Sequence, residues 1–263
     1  MLGPPWLYVI ALGAAFVLAA LASPVGVSGA VLLLPFQVSV LGTPSPAVTP
    51  TNLLYNIVAT PGALYRYWRQ QQTGGPLTRI LLVGTVPGVI VGAIVRVEFL
   101  PGDRAFAILV AAVLIPLGVW TLIGRRGAQA TTRWPTPLPA TALGILAAAV
   151  GCVGGIYGIG GGSILAPIIV GSGRSPTEVA PATLASTFVT SIAGVVTFVI
   201  LSSQKQGAVG PDWAVGFALG VGGLLGGYTG ARLQPHLPEA LIRRLLAVLV
   251  LAIGTRYAWL ALG

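Results

Sequence analysis

The sequence predicts an all-helical, polytopic protein of the inner membrane, made of two inverted repeats of about five segments each, with short half-helices after Gly-rich loops. Three observations predict it. Charged residues are 7% of the 263 and hydrophobic ones 55%, whereas a soluble domain carries about a quarter charged residues. Apolar runs recur from Trp6 to the end of the chain, and a run of about twenty residues is long enough to cross hydrocarbon as a helix. Finally, the Gly and Pro landmarks of the first half recur, in order, in the second.

The first run, Trp6 to Ala22, ends in Ala20-Leu21-Ala22, which resembles a signal-peptidase site, but no Lys or Arg precedes it. It is read as the first membrane helix. Ala30 to Leu41 is too short to span about 30 Å at about 1.5 Å per residue, so it reads as a half-helix. Thr51 to Tyr67, Leu77 to Val95 and Ala105 to Ile123 complete the first set. The stretch Gly124 to Pro137 is polar, bears prolines and holds Arg125, Arg126 and Arg133, which marks an internal boundary. It divides the chain into a first membrane repeat (1–123), a basic cytoplasmic linker (124–137) and a second membrane repeat (138–263).

The second set runs Leu138 to Ile156, Ser163 to Val170, Glu178 to Leu201, Trp213 to Ala231 and Ala240 to Leu262. Ser163 to Val170 is again too short to span. A β-barrel would need alternation over about ten residues, and Ala105 to Ile123 or Leu138 to Tyr157 are apolar on all sides.

The repeat rests on particular residues. Val27 to Pro35 aligns with Ile159 to Pro167 at an offset of 132. Ser45-Pro46 and Pro50 match Ser175-Pro176 and Pro181, which places Asn52, Tyr55 and Asn56 opposite Thr183, Ser186 and Thr187. Gly88, Gly92 and Pro101 match Gly226, Gly230 and Pro238. With an odd number of crossings per copy, the second copy enters from the opposite side. Ten of the fourteen Lys and Arg residues lie in loops of one side when the termini face outward, so the positive-inside rule places both termini outside.

Several function classes are excluded by what the chain lacks. The basic residues are scattered over helix ends instead of forming a patch for nucleic acid. One Cys, Cys152, and one His, His236, supply neither a disulfide nor a metal cluster. There is no phosphate-binding G-x-x-x-x-G-K-[ST] pattern, so no cofactor is expected. Gly26-Val27-Ser28-Gly29 matches the G-x-S-G of intramembrane proteases, but that chemistry needs a histidine beside Ser28. His236 lies far along the chain between prolines. Glu98, Asp103, Glu178, Asp212 and Glu239 all lie at segment ends, not mid-span where a proton relay would place a carboxylate.

The chemistry-bearing candidates are the flexible stretches Pro24 to Gly29 and Gly158 to Ser163. Irregular backbone is tolerated at membrane depth where it lines a cavity, and a helix starting there aims N–H groups at its occupant. Gly26, Ser28, Gly29, Gly160, Gly161, Gly162 and Ser163 are therefore expected to line a small-anion site. The same glycines would also permit tight helix crossing or a homodimer. Asn52, Tyr55 and Asn56, with Thr183, Ser186 and Thr187, fall on single helix faces. They would donate neutral hydrogen bonds without the cost of burying a charge, although interhelical bonding uses the same groups. Asn52 and Asn56 are the sharper pair, because carboxamides cannot satisfy themselves on their own helix as Ser and Thr can.

The paired motifs, Gly158-Ile159-Gly160-Gly161-Gly162-Ser163 with Pro167 and Pro24-Val25-Gly26-Val27-Ser28-Gly29 with Pro35, resemble those of the TauE/SafE family of sulfite exporters, over nearly the whole chain. The resemblance implies a permease for small sulfur-containing anions, sulfite or organosulfonates. A channel, a carrier of other organic acids, or remotely a protease using Ser28 are the alternatives. The first copy departs from the pattern in having fewer glycines in its loop.

Overall fold

The computed structural model describes residues 5–44, 47–70, 74–99, 139–171, 174, 176–204, 209–236 and 238, with isolated positions between 108 and 122 and between 241 and 259. Among them lie eight α-helices: α1 Pro5–Ala22, α2 Ala30–Ser39, α3 Val48–Arg69, α4 Pro76–Glu98, α5 Ala140–Tyr157, α6 Gly162–Gly171, α7 Pro176–Gln204 and α8 Trp213–Leu233. No strand occurs among the described residues. The linker 124–137 lies outside them, as do most of the two segments Ala105–Ile123 and Ala240–Leu262.

Local chemistry sets the helix ends. α4 begins at Pro76 after Gly74 and Gly75, whose φ of 92° and 115° only glycine adopts readily. The Asp212 side chain caps α8 by accepting the Val215 N–H at 3.0 Å. Arg66 and Arg69 close α3, where cations complement the carbonyl end of the helix. By length and hydropathy, α4, α5, Glu178–Gln204 of α7 and Trp213–His236 can cross a membrane, and Trp6–Ala22 is a shorter apolar helix. α2 and α6 have ten residues each, the half-length expected from the sequence.

Packing exchanges the two halves. α1 lies along α8 and α5 lies along α4, each pair running in the same direction over a stripe of glycines. In α8, a Cβ at Gly222, Gly226 or Gly230 would fall on the carbonyl oxygen of Leu12, Phe16 or Ala20. In α4, a Cβ at Gly84, Gly88 or Gly92 would fall on that of Gly144, Ala148 or Cys152. The three carbonyls of α1 and the three of α5 differ by the same 132 positions found in the sequence. Small residues let the backbones meet this closely. α8 also rests on α3 in the same direction, with Gly216 against Leu54 and Gly220 against Val58. α3 and α7 cross in opposite directions, since Gly194 meets Leu53 while Ala180 and Leu184 cluster with Ala63 and Tyr67.

Large apolar side chains remain exposed along α1, α4, α7 and α8, with Trp6, Trp68 and Trp213 exposed near helix ends. This is the arrangement of a lipid-facing surface with aromatic residues at its edges.

Candidate functional site

The site forms where the starts of α2 and α6 meet between α3 and α7. α1 ends in a short 3-10 turn, Ser23–Val25, and the chain reverses at Gly26, whose φ is 76°. α5 ends at Gly158 with φ 81°. Both are left-handed residues, and neither leaves room for a side chain. A Cβ on Gly26 would come 2.6 Å from Ala180 Cα and 2.7 Å from Thr183 Oγ1. One on Gly158 would press on the Thr49 backbone, 3.0 Å from its Cα.

The two turns touch through serines. The Ser28 N–H donates to Ser163 Oγ at 3.1 Å, and Ser163 Oγ donates to the Ile159 carbonyl at 3.3 Å. Ser28 Oγ donates to Asn56 Oδ1 and accepts the Ala30 N–H at 3.2 Å, which caps the start of α2. Gly29 lies against the Tyr55 hydroxyl, which a Cβ there would meet at 2.5 Å. Opposite, Gly160 and Gly162 lie on the polar face of α7. A Cβ on Gly160 would be 3.2 Å from Ser191 Oγ, and one on Gly162 would be 2.6 Å from Thr187 Oγ1. Gly161 packs on Thr85, whose Cγ2 a Cβ would meet at 2.7 Å.

All thirteen residues singled out by sequence are thus buried and gathered at this junction, but they are not equally engaged. Asn52 is spent inside the protein. Its Oδ1 accepts from Gln37 Nε2 at 2.8 Å, and its Nδ2 donates to the Ala30 carbonyl at 2.9 Å, tying α2 to α3. Thr183 Oγ1 lies 3.0 Å from the Gly26 carbonyl and 2.9 Å from that of Val179. Ser186 Oγ is 2.9 Å from Thr85 Oγ1, and because the Thr85 proton goes to the Leu81 carbonyl at 2.6 Å, Ser186 is the donor.

Asn56 and Thr187, which occupy equivalent positions in the two halves, differ from these. Asn56 Nδ2 and Thr187 Oγ1 are buried with no hydrogen-bond partner in the protein, and so is Ser191 Oγ one turn beyond Thr187. A buried donor left unpaired costs about 1–3 kcal/mol. Three such groups lie at this one junction.

Several participants were not singled out by sequence: Gln37, Thr49, Thr85, Arg96, Thr190 and Ser191 are all buried. Gln37 and Thr85 are isolated polar residues in otherwise apolar stretches, which is a readable signal. Arg96 is fully buried at the end of α4 and donates from Nε to Thr49 Oγ1 at 3.3 Å. Its position after an apolar run resembles that of an interfacial anchor. Among groups relevant to a protease, Ser28 gives its hydroxyl proton to Asn56, while His236 is exposed in the 3-10 turn Gln234–His236. The structure does not bring the two together.

A narrow cleft leads to the junction along α3, lined by Ala19, Ser23, Ser28, Tyr55, Thr60 and Ala63 among others. It has room for roughly one water molecule.

Comparison with known proteins follows the same outline. The family described as "Sulfite exporter TauE/SafE" matches residues 11–257. A "Probable membrane transporter protein" of Xylella fastidiosa strain 9a5c is 24% identical over 249 residues, covering 89% of this chain and 88% of the relative. A protein of the same description from Xylella fastidiosa strain Temecula1 is 24% identical over 242 residues, with the same coverage of both chains. No solved structure matches significantly.

Proposed function

The chain belongs to the TauE/SafE sulfite exporter family, and on that premise we propose that it is a secondary transporter carrying a small sulfur oxyanion, sulfite or an organosulfonate, by alternating access. It is a membrane transporter by family and by its apolar helices. The substrate reading rests on one observation: Asn56 Nδ2 and Thr187 Oγ1, from equivalent positions of the two halves, are buried donors without a partner beside the crossing loops. Neutral donors hold an oxyanion without the desolvation cost of a buried cation. They favour hydrogen-bond acceptors over apolar solutes.

Alternating access draws support from the opposed directions of α3 and α7 and from the exchanged packing of the two halves, the features of an inverted repeat. In this reading the chain lies in the cell membrane with both termini outside. The inner-face arginines raise local anion concentration. The cleft, with room for about one water molecule, is then too narrow to pass the substrate.

The test is the thermal shift of the purified protein with sulfite, sulfoacetate, taurine and sulfate, in wild type, Asn56→Leu and Thr187→Val. A shift with one sulfur anion that falls by about tenfold in apparent affinity in each variant, the effect of losing one charge-assisted hydrogen bond, is expected. Equal shifts in all three proteins would move the site elsewhere, and no shift with any of the four would remove sulfur anions as the substrate class.

A further inference from the structure

Helix α3 is tied down at both ends by polar contacts that the substrate site does not use. At its C-terminal end the Tyr67 hydroxyl lies 3.3 Å from the Ser23 carbonyl and 3.2 Å from Gln234 Oε1, and Gln234 Nε2 donates to the Pro24 carbonyl. At its N-terminal end Thr49 Oγ1 donates to the Ile156 carbonyl at 3.3 Å and accepts from Arg96 Nε, also at 3.3 Å. Tyr67 and Thr49 are about 27 Å apart at about 1.5 Å per residue. The ties therefore lie at opposite ends of the molecule, with Asn56 between them.

The two ties are counterparts. Pro24 and Ile156 differ by the 132 positions of the repeat, and each carbonyl lies two residues before a left-handed glycine, Gly26 or Gly158. Gln234 stands after α8 where Arg96 stands near the end of α4, by the offset that matches Gly88 to Gly226. In both halves, then, a long polar side chain at the end of the fourth helix helps hold the turn that leads into a short helix of the other half, Gln234 directly and Arg96 through Thr49. The cleft reaches the residue that one tie holds. Ser23, whose carbonyl faces Tyr67, also lines the cleft, which runs along α3 through Ala63 and Thr60 to Ser28.

Resting on the alternating-access reading, we propose that Tyr67 and Gln234 form the gate at one end of the transport path, and Arg96 with Thr49 the gate at the other. Opening one end would release the Ser23–Gly26 turn, and opening the other would release the Ile156–Gly158 turn. The substrate donors lie between the two ties, so an intact tie at either end separates them from that side.

The experiment reads the gates one side at a time. In a Cys152→Ala background, which removes the chain's one cysteine, Thr60→Cys serves as reporter in the cleft and Ser191→Cys as reporter on α7. Both are labelled with a cationic, membrane-impermeant thiol reagent in sidedness-controlled vesicles. Tyr67→Phe or Gln234→Ala should raise labelling of the Thr60→Cys protein roughly tenfold from the side bearing Arg66 and Arg69, and leave the other side unchanged. Thr49→Val or Arg96→Gln should raise labelling of the Ser191→Cys protein from the opposite side. Unchanged rates, or equal increases from both sides, in variants with wild-type melting temperatures would overturn the gates. Tyr67→Phe removes a single hydroxyl, so the test stands even where Gln234→Ala or Arg96→Gln does not fold. If a small anion passes the vesicle membrane without saturation or counterflow with every tie intact, the path is an open pore and the alternating-access reading itself fails.

Discussion

The two halves share glycine landmarks and differ in the side chains around them. Gly26 and Gly158 turn the chain the same way, and the glycine stripes of α8 and α4 receive the same three carbonyls of α1 and α5. Equivalent positions at the center carry different groups. Tyr55 lies against Gly223 where Ser186 bonds Thr85, and Asn56 stands where the other half has Thr187. The polar face continues on α7 through Thr190 and Ser191, while α3 has Ala59 and Thr60 there. The scaffold obeys the repeat because close helix contact tolerates only glycine. The center departs from it where side chains, not backbones, face one another. One half presents an aromatic and an amide, the other a ladder of hydroxyls.

The strongest way to break this comparison is through the shared part. Gly92→Leu and Gly226→Leu each force a branched side chain into a facing carbonyl, an overpacking cost of roughly 3 kcal/mol or more. Both should abolish monodisperse protein in size-exclusion chromatography, and a tolerant member of the pair would show that the stripes are not equivalent. Gly26→Ala and Gly158→Ala add a left-handed cost of about 1–2 kcal/mol to the contacts with Ala180 and Thr49. Matched losses of melting temperature are expected.

The unshared part gives smaller and opposite effects. Asn52→Ala leaves both Gln37 and the Ala30 carbonyl short of a partner, so it should cost about 2 kcal/mol of stability with little change in the affinity of protein that remains folded. Thr187→Val removes a hydroxyl that has no partner and should leave the melting temperature nearly unchanged while weakening ligand binding by about tenfold. If Asn52→Ala instead spares stability and weakens binding, the two carboxamides of α3 have exchanged roles and the site lies nearer α2.

Much of this was legible in the residues. The 132-residue offset, the half-length of α2 and α6 and the burial of both Gly-rich turns follow from glycine, proline and apolar run length alone. Which carboxamide is free was not legible, because Asn52 is occupied by Gln37, a residue fifteen positions earlier on another helix. Arg96 was not singled out, since an arginine after an apolar run ordinarily reaches for the interface. Its Nε meets the Thr49 hydroxyl, and only the packed chain puts that hydroxyl there. The glycines expected to line a ligand also press on neighboring helices, Gly26 and Gly162 on α7 and Gly161 on Thr85 of α4. Their smallness brings the polar faces together, and those faces carry the donors.

The exchanged pairing also bears on how the chain is made. α1 is synthesized first, yet the glycines it rests on, Gly222 to Gly230, belong to the last helix fully described. Once inserted, α1 must wait beside lipid for some two hundred residues of synthesis before its partner arrives. α4 meets α5 much sooner. After the local α2–α3 contact, the α4–α5 pair is the first extensive helix pair that a nascent chain can keep. Truncation after α7 would take away the helix on which both α1 and α3 rest, with the α4–α5 pair intact.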